Sequence, residues 1–470
     1  MKIEQIYTGC LAEAAYYIES NGEAAIIDPL RESQPYLDRA KADNATIKYV
    51  FETHFHADFV SGHIDLAHKT GAAIVYGPTQ METGFEKIVA ADGQRFKVGN
   101  VTIEVIHTPG HTMESSCYLL RDENDKEVGS FTGDTLFIGD VGRPDLAQKV
   151  IAELTQDILA GHLYDSLRNK IMPLNDDIIV YPNHGKGSAC GKNMSSETTD
   201  TLGNQKKTNY ALRPELTKEE FKKEVLSGLT PPPGYFPQNV MINIQGYQSL
   251  DTVLSQGTKA LSVNEFDVIA NETDAVVIDT RSPEDFSKGY IPGSIFIGLD
   301  GTFATWVGTL IPNVKQPILL VGYENTIEEV VTRLARVGYD NAHGYLKGGI
   351  EAWKQAGKPI EKIESIDADK LAMIENATIV DVRKASEYQS EHVLEAINAP
   401  LDYVNESMKL ISNQTTQYVH CASGYRSLIF ISILKARGYN TLVNINGGFT
   451  ALKNSGKFNV SEYVCPTTLL

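Results

Sequence analysis

Apolar and polar positions follow two rhythms along this chain. Residues 24–28, 49–53, 73–76 and 101–107 are short apolar or alternating runs that read as strands, while residues 34–42 and 65–70 carry the spacing of helices. The runs at 49–53 and 101–107 lead into loops bearing His54 and His111. Strands that end in loops carrying His and Asp predict an α/β fold with its chemistry at strand ends. Residues 195–215 change character: Ser, Thr, Asn and Lys dominate, and the stretch reads as a long polar loop. Thr217 opens a helix, with Glu220 three residues on completing a capping box. Pro231, Pro232, Pro233 and Gly234 then break the chain, and a linker is expected near residues 246–257.

The remainder repeats. Residues 275–281 (Ala-Val-Val-Ile-Asp-Thr-Arg) resemble residues 377–383 (Ala-Thr-Ile-Val-Asp-Val-Arg), and Gly348 and Gly349 return as Gly447 and Gly448. An offset of about 100 positions marks two tandem copies of one α/β domain, too few for a solenoid. A length of 470 residues fits about three domains. The expected divisions are 1–250, 258–360 and 361–470.

Composition narrows the partners. Hydrophobic residues are 42% and charged residues 22%, as in ordinary soluble globular proteins. A net charge of −18 argues against nucleic acid and against an anionic membrane surface. The first residues lack a basic segment followed by an apolar one, so no signal peptide is expected, and no apolar run is long enough to span a bilayer. The five cysteines (Cys10, Cys117, Cys190, Cys421 and Cys465) are odd in number and scattered. That predicts no disulfide framework and a reducing, cytoplasmic setting with thiols free for chemistry.

Four segments carry candidate metal ligands. Residues 53–58 (Thr-His-Phe-His-Ala-Asp) hold His54, His56 and Asp58; His111 follows Pro109 and Gly110; Asp134 follows Thr132 and Gly133; His184 follows Asn183. One such His alone would read as a hydrogen-bonded loop residue. In this order the four segments resemble the metallo-β-lactamase superfamily over residues 1–240. The resemblance implies a four-layer αββα sandwich with metal at the edge of its two sheets. Two-metal hydrolases of that superfamily carry a further His directly after the motif Asp, and here that position is Phe59. The chain therefore looks like the persulfide dioxygenase branch, which implies one Fe(II) per chain held by His54, His111 and Asp134. Two imidazoles and one carboxylate with open positions opposite suit non-haem Fe(II) and O₂. His56, Asp58 and His184 are then expected to orient the ligands through hydrogen bonds. Residues 139–145 resemble the family's segment after the metal Asp, with Arg143 expected to pair with Asp145. Cys190, between Gly187 and Gly191, is expected beside the site, where Lys186 and Lys192 would favour an anionic sulfur. Cys190 and Arg143 are thus candidates for positioning substrate, and Cys10 is a weaker one.

A second signal centres on Cys421. An apolar run ends at Val419 and His420, a short loop follows to Arg426, and residues 428–436 read as a helix. Loop amides, a helix N-terminus and the Arg426 cation would form a cradle for an anionic sulfur. This is similar to the rhodanese active loop, whose six residues here run from Cys421 to Arg426. Asp381, Arg383, Glu387, Gly447 and Gly448 match the rest of that family's pattern. In the first copy, Gly322 falls where Cys421 sits and Ile327 where Arg426 sits, so residues 258–360 read as a rhodanese fold without the chemistry, suited to docking or dimerisation.

The fold class expected is therefore an N-terminal αββα sandwich followed by two α/β rhodanese domains with mainly parallel sheets. The resemblance implies oxidation of a low-molecular-weight thiol persulfide by O₂ to sulfite and thiol, coupled to sulfur transfer through Cys421 that forms or uses thiosulfate. The combination resembles bacterial sulfide-detoxification enzymes, and an even-numbered homo-oligomer is expected. The alternative is a zinc thioester hydrolase of the glyoxalase II type carrying a rhodanese module.

Overall fold

The computed structural model describes residues 1–146, 154–229 and 231–465. The chain divides into two compact units, Met1–Thr252 with Leu334–Gly338, and Val253–Arg333 with Tyr339–Leu470.

The first unit is built on two six-stranded sheets. One runs in the order β1 (Lys2–Thr8), β2 (Glu13–Ser20), β3 (Glu23–Ile27), β4 (Thr46–Glu52), β5 (Ala73–Tyr76) and β6 (Ile88–Val89). Its first three strands are antiparallel and the rest parallel. The other holds β7 (Arg95–Val98), β8 (Val101–His107), β9 (Ser116–Arg121), β10 (Glu127–Gly133), β11 (Ile179–Pro182) and β12 (Asp200–Thr201), in sequence order across the sheet. Only β10 and β11 run parallel in it.

Period-two alternation stacks these sheets into four layers. Tyr16, Ile18, Ile27 and Phe51 point inward onto Phe96, Val101, Ile103, Tyr118 and Phe131 of the second sheet. Their neighbours Ala15, Tyr17, Ile26 and Val50 face outward and are covered by Tyr36 and Ala40 of helix Gln34–Ala42 and Leu66 of helix His63–Thr70. The outer face of the second sheet packs Ile106, Leu119 and Val180 against Ala160 and Leu163 of helix Gln156–Ser166 and Phe221 and Val225 of helix Lys218–Leu226. Each fully buried large apolar side chain contributes about 1.5–3 kcal/mol, so the sandwich is held from three apolar layers rather than one.

The second unit holds two five-stranded sheets, parallel throughout. One is ordered β13 (Ala260–Leu261), β17 (Ala342–Leu346), β16 (Ile318–Val321), β14 (Val276–Asp279), β15 (Ile295–Phe296). The other repeats that order as β18 (Ser365–Ile366), β22 (Leu442–Ile445), β21 (Gln417–His420), β19 (Thr378–Asp381), β20 (Ile397–Asn398). The duplication in sequence is thus a duplication in topology. The two copies touch through a polar seam: Tyr425 Oη donates to the Gly298 carbonyl at 2.7 Å, and the Phe296 amide donates to Ser432 Oγ at 2.9 Å.

Two expectations fail here. Residues 195–215 are not one long loop, since they contain helix Leu202–Thr208, capped by Thr201, and a 3-10 turn at Tyr210–Leu212. Their polar residues are partly buried and employed: Asn209 Nδ2 donates to the carbonyls of Phe137 and Asp140. Composition alone does not separate a solvated loop from a polar brace. Likewise the linker expected near 246–257 is mostly helix Leu250–Gly257, because Leu250 and Val253 find apolar cover.

Candidate functional site

The candidate metal ligands sit on loops at one end of the sandwich. β4 ends at Glu52 and delivers His54; β8 ends at His107 and the following turn delivers His111; β10 ends at Gly133, directly before Asp134. The donor atoms of His54, His111 and Asp134 lie within 4.8 Å of one another, and all three residues are buried.

The hydrogen bonds around this triad prepare it to coordinate. His111 Nδ1–H donates to the Arg143 carbonyl at 2.9 Å, which leaves Nε2 as the bare nitrogen, 3.4 Å from Asp134 Oδ2. Thr53 Oγ1 spends its proton on Asp28 Oδ2 at 2.8 Å, so its 3.0 Å contact with His54 is accepted from Nδ1–H, and His54 Nε2 is bare as well. Burial first, then the neighbouring His56, His111 and His184, hold His54 well below the usual imidazole range, in the neutral form a metal requires. Both Asp134 oxygens are buried without a hydrogen-bond partner. Two bare imidazole nitrogens beside a carboxylate with no donor of its own form an environment costly without a cation and well matched to one. Gly142 makes the approach possible: a Cβ there would overlap the Asp134 carbonyl oxygen and stand 3.0 Å from His111 Nδ1.

Of the residues expected to orient the ligands, His56 turns away. Its Nε2 lies 3.0 Å from Asp28 Oδ1 and 3.2 Å from Glu52 Oε2. Burial opposes protonation, but those two carboxylates win and hold His56 well above the usual range. Its ring still lies tilted against that of His54, centroids 4.2 Å apart, and Phe59, fully buried and offering no donor, stacks on it at 4.3 Å. Asp58, His184 and Cys190 instead converge as a second buried group, with donor atoms within 4.8 Å of one another. Arg143 pairs with Asp145 through two contacts of 2.7 Å, as expected, and also binds the 189–190 loop: its Nη1 donates to the Ala189 carbonyl and its amide to that of Cys190.

The surroundings of Cys190 differ from those expected. Lys186 is exposed, and Lys192 Nζ donates to the carbonyls of Glu224 and Ser227. The charges that face the thiol are acidic. Burial first, then Asp58 and Asp134, push it well above the ordinary thiol range. Sequence reasoning also passed over Asp140, whose Oδ2 accepts from the amides of Lys192 and Asn193 at 2.6 Å each and so fixes the turn just after Cys190. An aspartate in a Gly-rich loop carries no sign of such a partner, since the amides come from 52 and 53 residues away. Cys10 is half-buried and belongs to neither cluster.

In the second unit, β21 ends at His420 and the loop from Cys421 to Arg426 opens helix Tyr425–Ala436, three residues earlier than the sequence reading placed it. Cys421 is buried, and the Gly424 amide donates to its Sγ at 3.1 Å. Gly424 has φ +120°, which turns that amide inward. Arg426 binds Glu387 through contacts of 2.6 and 2.9 Å. Asp381 and Arg383 form a buried pair under the loop. In the first copy, a Cβ at Gly322 would meet Thr280 Oγ1 at 2.6 Å and Ile327 Cδ1 at 3.2 Å, so side chains already fill the space a sulfur would need. Glu324 there accepts from the Gly348 amide at 2.9 Å, placing a carboxylate at the same loop.

Two layered sheets with metal ligands at their edge, followed by duplicated parallel α/β domains, define the class: the chain belongs to the metallo-β-lactamase superfamily and carries tandem rhodanese-like domains. Residues 8–184 match the Metallo-beta-lactamase superfamily model, and residues 262–356 and 367–455 match the Rhodanese-like domain model. A metallo-beta-lactamase structure from Staphylococcus aureus is 33% identical, covers 74% of this chain and 98% of its own, and superposes with a TM-score of 0.64. The hydroxyacylglutathione hydrolase GloC of Haemophilus influenzae is 29% identical over 194 residues, 37% of this chain and 85% of its own length. The structure of ETHE1 from Myxococcus xanthus is 27% identical, covering 52% of this chain and all of its own, with a TM-score of 0.43. Among the described residues, no helix is long and apolar enough to cross a membrane.

Proposed function

We propose that this protein oxidises a low-molecular-weight thiol persulfide with O₂, releasing sulfite and thiol, and moves sulfane sulfur through Cys421. The observation that carries this reading is the triad of His54, His111 and Asp134, with Phe59 standing where a two-metal hydrolase would have an imidazole. Fe(II) held there would supply a redox centre with open positions for O₂ and sulfur. The chain's own contribution is positional. Thr53 and the Arg143 carbonyl fix the two imidazoles, and the buried surroundings exclude bulk water.

At the second centre, the Cys421 thiolate attacks the outer sulfur of a persulfide. The S–S bond breaks, the departing sulfur takes the persulfide proton and leaves as thiol, and Cys421 carries the transferred sulfur as an anion. The Gly424 amide, which donates to Cys421 Sγ, would help to stabilise that anion. A sulfite lone pair then takes the sulfur, giving thiosulfate and returning the Cys421 thiolate. Sulfite made in the first reaction is consumed in the second, which gives the fusion a chemical rationale. We place this activity in a reducing cytoplasm, in a homo-oligomer.

The hydroxyacylglutathione hydrolases among the relatives favour a second reading, zinc-dependent thioester hydrolysis. Metal analysis of anaerobically purified protein, with O₂ uptake on adding glutathione persulfide, separates the two. About one iron per chain with persulfide-dependent uptake is expected. Zinc with no uptake, and hydrolysis of a glutathione thioester, would establish the alternative instead.

A further inference from the structure

The loop that follows His54 is held by its backbone, and the groups that hold it come from far along the chain. Asn243 lies in helix Phe236–Gln245 and is 1% exposed. Its Nδ2 donates to the carbonyls of His56 and Phe59, both at 2.8 Å, and its Oδ1 accepts from the Ser61 amide at 3.0 Å. Tyr235, just ahead of that helix, donates from Oη to the Asp58 carbonyl at 3.2 Å. Tyr247, just beyond the helix, donates from Oη to the Ser61 carbonyl. Residues 235–247 lie outside residues 8–184, the span that matches the metallo-beta-lactamase model.

Packing of the helix does not by itself call for these bonds. Ile244 and Val240 already seat it in an apolar cluster with Phe55, Ile64 and Tyr76. A carboxamide is a poor helix former, and burying it costs free energy unless its hydrogen bonds are made. Here both donor hydrogens and the acceptor oxygen are used, and all three bonds go to one short loop. His56 lies against the His54 ring, and Phe59 stacks on His56. Fixing the carbonyls of His56 and Phe59 therefore fixes the surface against which His54 rests.

From these contacts we infer that Asn243 is a positioning residue for the metal site: with Tyr235 and Tyr247 it clasps the backbone of residues 56–61 and thereby sets the place of His54. The clasp acts through the loop and not on the metal or the substrate. A loop free to shift would have to be ordered each time a cation bound, so ordering it beforehand is gained as affinity. The inference rests on His54, His111 and Asp134 as a metal site, and not on which reaction is performed there.

The test uses the metal-free full-length protein and Co²⁺, whose visible bands report ligand geometry. Asn243→Ala should weaken Co²⁺ binding by about tenfold or more, with altered bands, and should keep sulfur transfer at Cys421. Tyr247→Phe, which removes a single oxygen and serves where Asn243→Ala fails to fold, should move affinity and bands in the same direction by less. Without any metal, backbone amide exchange over residues 54–61 should speed up in both variants while that over residues 236–245 holds. That contrast separates a loosened loop from an undocked helix. Unchanged Co²⁺ affinity and bands in the variants, or exchange that rises over the helix as much as over the loop, would overturn the clasp. Failure of the unmodified protein itself to bind Co²⁺ would instead refute the triad as a metal site, and the exchange comparison would still decide the clasp.

Discussion

The Arg426 guanidinium closes on the Glu387 carboxylate through two contacts of 2.6 and 2.9 Å. The cation expected to face the sulfur is thereby tied to a neighbouring helix, which fixes the far end of the Cys421 loop. Glu387→Gln keeps the shape but loses the charge. Sulfurtransferase activity should fall about tenfold or more, in line with the cost of misplacing a positioning group, while O₂ uptake is unchanged.

The same pair carries a pH signature. Burial opposes ionisation of Glu387, but the bonds from Arg426 and the Lys384 amide hold its carboxyl below the ordinary 4.5. A carboxylate depressed in the folded state stabilises the fold above its ordinary value and loses that contribution as pH falls through the folded value. Thermal melts should therefore separate wild type from Glu387→Gln near neutrality and converge below pH 4.5. A gap that persists at low pH would rule out the ion pair as its source.

Asp134→Ala should strip the first site of metal and abolish persulfide-dependent O₂ uptake; full metal content in that variant would refute the ligand assignment. Cys421→Ser should cut sulfur transfer by on the order of 10³-fold or more yet leave O₂ uptake with a small persulfide. If both activities disappear together, the division into two centres is wrong.

Gly142→Ala tests the close approach at the metal loop. Its Cβ would overlap the Asp134 backbone, so the loop must shift, at a cost of about 1–3 kcal/mol. Metal content measured after dialysis should drop well below that of wild type. An unchanged content would mean that the loop yields without moving Asp134 or His111.

The first copy should resist repair at one position. Placing a thiol by Gly322→Cys in a Cys421→Ser background should restore no sulfur transfer, because Thr280 and Ile327 already occupy the space. Measurable turnover would show the copy to be closer to competence than its packing implies.

Much of this was legible in the sequence, and for identifiable reasons. The strand at 101–107 and the helix at 34–42 fall where the apolar spacing places them, since burial on one face imposes its own period. His54, His111 and Asp134 follow strand-like runs, and they converge because those strands end at one side of the sandwich. The polar brace at Leu202–Thr208 was not legible, because Asn209 and Gln205 look solvated until their partners at Phe137, Gly139 and Asp140 are known. The environment of Cys190 departs from the expected one for a related reason. Lys192 is adjacent in sequence but spends its charge elsewhere, while Asp58 and Asp134 arrive from distant strands. Adjacency along the chain is a poor guide to which charge a buried group meets.

Tyr425 lies within the six-residue loop that Cys421 opens, yet its hydroxyl is held by Gly298 in the copy that has no cysteine, and a Cβ at Gly298 would stand 3.2 Å from its ring. The first copy is thus a mould for the Cys421 loop of the second. A lesion at Gly298 would be felt at the Cys421 loop more than a hundred residues away, and any constraint on that loop would extend to the neighbouring domain that braces it.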